Sequence, residues 1–150
     1  MSVRGDARFT DGEPLTAEDV AFTYNTVKET SSVNDFTMLD YAEAADAATV
    51  VFHMTRPFSI WPYTMAVVGI VPAHAYDPAT YGPNPIGSGR YILKQWHQGQ
   101  QVILVAHPDY YGEKLAIEQV TIPFIEEDAA FLAAPAGQVG GAFTSVTSSM

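Results

Sequence analysis

The sequence predicts an α+β fold, a mostly antiparallel sheet with peripheral helices. Three observations predict it. A capped, periodic helix stands near the start, over about 16–30. A hairpin of alternating residues occupies 90–106. The 150 residues are 47% hydrophobic and only 16% charged, enough for one domain with a real core.

Val3–Phe9 reads as a strand that ends at the turn signal Asp11-Gly12, with Pro14 just beyond. Thr16 is an N-cap residue followed by Glu18 and Asp19, which suit the positive end of a helix. Val20, Tyr24 and Val27 repeat at helical spacing, with Phe22 off the stripe. Tyr41–Ala45 and Thr49–Thr55 read as paired strands around Asp46-Ala47-Ala48, and Val50, Phe52 and Met54 alternate with Val51 and His53. Ile60–Val68 predicts a short helix that tolerates Pro62 in its first turn. Pro72–Tyr76 predicts one more helical turn. Asp77–Gly89, with three prolines and three glycines, is a loop.

Arg90–Trp96 and Gln101–Ala106 pair across His97-Gln98-Gly99. Ile117–Ile125 is a further strand, which Pro123 confines to an edge or bulge. Glu126–Ala134 predicts a short helix ending near Pro135, Val139–Phe143 is short and glycine-rich, and Thr144–Met150 is an unanchored tail.

Charge and composition narrow the function. Seven Lys plus Arg against seventeen Asp plus Glu give a net charge of −10, which repels phosphate backbones and argues against nucleic acid. Cysteine is absent, and with it disulfides, thiolate catalysis and zinc–thiolate sites. Met65–Pro72 is far too short to cross a bilayer, which takes about 20 residues. No signal peptide opens the sequence.

The chemically suggestive groups have plainer explanations. His53, His74, His97 and His107 lack the short spacing of metal ligands, so no metal or cofactor is expected. Gly87-Ser88-Gly89 has neither the length of a nucleophile elbow nor the following helix that a phosphate loop needs. Glu18-Asp19 and Glu126-Glu127-Asp128 open helices, where capping accounts for acids. Phe58, Trp61 and Tyr63 suit a core better than a ligand platform. Nothing in the sequence calls for catalysis.

Six motifs, in order over about residues 3–143, resemble one family. They are Val3-Arg4 with Phe9–Tyr24 (FTDGEPLTAEDVAFTY), Thr49-Val50-Val51-Phe52, Val71-Pro72-Ala73-His74, Pro85–Tyr91 (PIGSGRY), His107–Gly112 (HPDYYG), and Val120–Ile125 with Asp128-Ala129-Ala130. Together they are similar to bacterial extracellular solute-binding protein family 5, the substrate-binding proteins of peptide and nickel ABC importers. Ser88 and Arg90 replace the family's usual Thr and Pro. Pro135 interrupts a helix, and 136–142 lacks the family's aspartate.

The resemblance implies a partial lobe of a periplasmic-binding-protein type II fold. About 1–115 would form the smaller subdomain of the first lobe and about 116–143 the start of the adjoining one, with the second lobe and the N-terminal signal or lipoprotein anchor outside this chain. It implies a peptide or small solute as ligand, a membrane permease as partner, contact with the membrane only through the missing anchor, and a place in the periplasm or on the cell surface. Two segments, Val33 to Met38 and Val68 to Ile70, would line the ligand, giving Val33, Phe36, Met38, Val68, Gly69 and Ile70. Both are mostly apolar, which favours a peptide or apolar solute over a metal chelate; Phe36 and Met38 packing against the core is the competing reading. A peptide-sensing or chaperone-like module on the same fold, and a metal-dependent enzyme, are the functional alternatives.

Overall fold

In the computed structural model, residues 1–31, 35–125 and 140 are described. Helix α1, Ala17–Thr30, starts where the sequence places it. The Asp19 carboxylate reaches back one turn, and its Oδ2 accepts both the backbone N–H and the hydroxyl of Thr16 at 2.9 Å. That satisfies a group the first helical turn would otherwise leave without a partner. Ala17, Val20, Ala21 and Tyr24 form the buried stripe, while Phe22, off that stripe, packs edge-on against Tyr76 at 5.7 Å.

Strands β1, Leu39–Asp46, and β2, Thr49–Met54, pair antiparallel with Ala42 opposite Phe52 and Ala44 opposite Val50. These residues share the face that packs on α1, because side chains alternate along a strand. Tyr41 and His53 occupy the outer face, stacked at 4.1 Å, and Glu43 bonds the His53 ring at 2.9 Å. Asn25 fixes α1 to β1 with both ends of its amide: Nδ2 donates to the Ala42 carbonyl at 2.9 Å and Oδ1 accepts the Ala42 N–H at 2.8 Å.

The expected strand over Val3–Phe9 is instead two isolated bridges, Ser2 to Thr49 and Arg8 to Pro14. The cause is local. Arg4 folds onto Asp6 with two bonds of 2.6 and 2.8 Å, and the chain turns at Gly5-Asp6. Residues 7–15 then close tightly, with Phe9 N–H on the Glu13 carbonyl at 2.9 Å and Gly12 at φ +93°, a value that glycine adopts without strain. Helix α2, Trp61–Ala66, carries Pro62 in its first turn. The helical turn expected at Pro72–Tyr76 is a single hydrogen-bonded turn, Ala75 N–H to Pro72 carbonyl at 3.2 Å.

A second antiparallel sheet holds β3, Tyr91–His97, β4, Gln101–Ala106, and β5, Gln119–Pro123, in that order. Gly99, at φ +73°, makes the turn between β3 and β4. Among the described residues β5 lies at the edge, where Pro123 costs no ladder bond. Trp96, Val102 and Ile122 stand in one cross-strand row. The two sheets meet through loops: Thr10 N–H bonds the Gly87 carbonyl at 2.9 Å, and the Arg4 guanidinium lies 4.0 Å over the Tyr111 ring. The helix expected over 126–134 and the elements after it lie outside the described residues, apart from Gly140.

Candidate functional site

The two segments expected to line a ligand are placed by different means. Residues 35–38 join α1 to β1. Asp35 Oδ1 accepts both the N–H and the hydroxyl of Thr37, at 2.9 and 2.7 Å, and these bonds, the hydroxyl first, hold its carboxyl below the usual range. The Met38 carbonyl accepts the Thr55 N–H at 2.9 Å, which ties the segment to the end of β2. The Met38 sulfur stands 3.0 Å from Arg56 Nε.

Residues 68–70 follow α2 and are held at both ends by α1. On one side the Tyr24 hydroxyl donates to the Met65 carbonyl at 2.9 Å. On the other, Thr23 Oγ1 accepts the Val71 N–H at 3.1 Å and donates to the Asp19 carbonyl at 2.7 Å. Asp19 Oδ1, the oxygen not used in the cap, accepts the Ala73 N–H at 2.9 Å. Consecutive residues of one helix, Thr23 and Tyr24, thus fix the entry and exit of the same short segment.

Phe36 of the first segment joins Tyr24, Phe52 and Trp61 in an aromatic cluster, part of the core on which Val68 and Ile70 pack. Phe52 meets Tyr24 at 5.0 Å and Trp61 at 5.4 Å in edge-to-face contacts, the arrangement ring quadrupoles favour. Burial pushes the Tyr24 phenol up to about 12. Trp61 is 8% exposed, and its indole N–H is buried without a hydrogen-bond partner among the described residues.

The six lining residues are distributed unevenly over this frame. Phe36 is 3% exposed, edge-on to Tyr24 and Trp61 at 6.4 and 6.3 Å, and belongs to the core cluster. Val68 and Ile70 are half-buried and pack against that cluster. Met38 is half-buried and Gly69 exposed, with open space where a side chain would project. Val33 lies outside the described residues. Sequence reasoning missed the double bracket from Thr23 and Tyr24, because bonds to partners 41 and 48 residues away leave no local pattern.

The other singled-out groups are dispersed. His74 bonds Asp11 at 2.8 Å, and His107 Nδ1 lies 3.2 Å from the Gly89 carbonyl. Among the described residues, no group of three or more His, Asp or Glu could hold a metal ion. Gly87-Ser88-Gly89 leads into β3, not into a helix. Tyr63 is 78% exposed, while Phe58 packs partly against the core. Glu126-Glu127-Asp128 lies outside the described residues.

Known proteins are similar to this chain in sequence and in fold. The probable D,D-dipeptide-binding periplasmic protein DdpA of Escherichia coli (strain K12) is 32% identical over 140 residues, covering 86% of this chain and 27% of that protein. Protein XP55 of Streptomyces lividans is 35% identical over 138 residues, covering 85% and 25%. The chain therefore spans about a quarter of the length of these relatives. Among solved structures, the oligopeptide-binding protein AppA of Bacillus subtilis, in complex with a nonapeptide, superposes with a TM-score of 0.75 at 29% identity over 92% of this chain and 30% of its own. NikZ of Campylobacter jejuni, in complex with Ni(L-His), reaches a TM-score of 0.82 at 22% identity, over 92% and 30%, a likeness of fold. The described structure is thus a partial lobe of that solute-binding fold. The family profile of the bacterial extracellular solute-binding proteins, family 5, middle region, matches residues 1–149, and the chain belongs to that family.

Proposed function

We propose that this chain is part of the substrate-binding component of an ABC importer, which captures a dipeptide or oligopeptide outside the cytoplasmic membrane and delivers it to a membrane permease. The observation that carries this reading is the 32% identity, over 86% of the chain, to a periplasmic protein named for dipeptide binding. The working place is the periplasm or the cell surface, with an anchor supplied from outside these residues. About 1–115 form the smaller subdomain of the first lobe and about 116–143 begin its neighbour, whose first strand, β5, pairs with β4 across the division. Met38, Val68, Gly69 and Ile70 face the solute, Val33 extends that lining, and Phe36 supports it from beneath.

The lining favours a peptide. Its side chains are apolar, and the acids nearby are already engaged: Asp35 with Thr37, and Asp19 with Thr16 and Ala73. A backbone-rich, uncharged stretch of ligand suits such a wall better than a hydrated cation does. Titration calorimetry on the protein at its natural length, with dipeptides, a nonapeptide and Ni²⁺, tests the reading. Micromolar or tighter binding of a peptide is the expected result. Binding of Ni²⁺ alone would overturn it. The 150-residue chain by itself is expected to bind far more weakly, because capture in two-lobed receptors depends on closure of both lobes.

A further inference from the structure

We infer that the indole N–H of Trp61 is a specificity-determining donor, which pairs with a backbone carbonyl oxygen of the captured peptide. The inference rests on the peptide-capture reading and names a group in it. The other buried polar side chains among the described residues have partners. Asp19 accepts from Thr16 and Ala73, Thr23 bonds Val71 and the Asp19 carbonyl, and His107 reaches the Gly89 carbonyl. Trp61 Nε1 is the buried side-chain donor left without one among the described residues. An unpaired buried N–H costs about 1–3 kcal/mol, and such a group calls for an explanation. Packing does not supply it: Phe at position 61 would present a similar edge to Tyr24, Phe36 and Phe52 and bury no donor.

Position supplies the explanation. Trp61 touches Phe36 from the 35–38 segment, and Val68 and Ile70 pack against the same core cluster. It therefore belongs to the cluster on which both segments of the proposed site pack. An indole N–H only donates, so its partner must be an acceptor. That selects a peptide carbonyl and rejects a cation. The N–H is buried in this structure, so a side chain packed against Trp61 must move before a ligand reaches it.

The test is Trp61→Phe in the protein at its natural length, with D-alanyl-D-alanine and an unmodified nonapeptide as probes. Affinity for the peptide that binds wild type is expected to fall about tenfold, while any drop in melting temperature reports the smaller ring in the core. In ¹⁵N-labelled wild type, the Trp61 indole N–H resonance should move downfield on peptide addition while that of the exposed Trp96 stays. Equal affinity in the variant together with an unmoved resonance overturns the inference and leaves peptide capture intact. A lower melting temperature with unchanged affinity also overturns it, since the indole would then serve only to fill the core. Failure of wild type to bind either peptide removes the peptide-capture reading and this inference with it.

Discussion

The carboxylate of Asp19 accepts the backbone N–H of Ala73 at 2.9 Å, across 54 residues of sequence, while its other oxygen caps the helix it stands on. One side chain therefore fixes both the start of α1 and the turn that follows the 68–70 segment. Asp19→Ala would leave the N–H groups of Thr16 and Ala73 without partners and is expected to cost about 2–4 kcal/mol. Asp19→Asn keeps one acceptor oxygen and should cost less than half of that. Denaturant midpoints of the two variants check the ranking; equal midpoints would mean that Ala73 finds another partner.

Thr23 allows a narrower test of the same bracket. Its hydroxyl accepts the Val71 N–H and donates to the Asp19 carbonyl. Thr23→Val keeps the shape and removes both bonds, at a cost of about 1–3 kcal/mol. If the bracket also positions the lining, peptide affinity should fall along with stability, and hydrogen exchange at Val71 should accelerate.

Tyr24 makes alkaline pH a probe of this core. Burial raises its phenol from 10.0 to about 12. Because the folded pKa is the higher one, its contribution to stability is fully present below pH 10 and lost as pH rises towards 12. Tyr24→Phe should flatten the fall in stability over that window. It should also cost about 1 kcal/mol at neutral pH, where the bond to the Met65 carbonyl is lost. Unfolding curves at pH 7, 10 and 11.5 decide it, and an unchanged alkaline slope in the variant would clear Tyr24 of the effect.

What was legible in the sequence was what the chain specifies locally. Thr16 with Asp19, the Val20–Tyr24 spacing and the His97–Gly99 turn lie within a few residues of the elements they define, and α1 and the β3–β4 hairpin follow from them. Pro123 marks an edge strand because its missing N–H excludes a central one. The second role of Asp19 was not legible, since nothing near position 19 or 73 signals a bond between them. Val3–Phe9 alternates like a strand, yet the Arg4–Asp6 fork turns the chain inside it. At the site, sequence similarity marks Phe36 and Val68 alike, and only packing separates the buried one from the half-buried one.

That separation has consequences for mutagenesis. Phe36 is held by Tyr24 and Trp61, so Phe36→Ala is expected to cost about 3–5 kcal/mol, and Phe36→Asp more, with binding lost alongside folding. Met38→Ala and Val68→Ala, at half-buried positions, should weaken peptide binding with much smaller changes in melting temperature. Calorimetry beside thermal unfolding tests this. A Phe36→Ala protein of normal stability that had lost its ligand would put the ring in direct contact with solute.

β5 offers the last test, at the proposed division near residue 115. All five of its residues pair with β4, and flanking bonds from Ala106 N–H to the Glu118 carbonyl and from Phe124 N–H to the Gln100 carbonyl extend the seam. A chain ending at Leu115 would leave β4, with Val102, Leu104 and their unpaired backbone groups, as an open apolar edge. Such edges recruit strands from other molecules. The truncated chain is expected to self-associate in size-exclusion chromatography at concentrations where the chain carried through β5 elutes at lower apparent mass. Ending the chain at Ile125 should avoid this, because Pro123 then blunts the outer edge. If the 1–115 chain stayed monomeric and as stable as the 1–125 chain, β5 would be a passenger on this sheet, and the division near 115 would fall at a natural boundary.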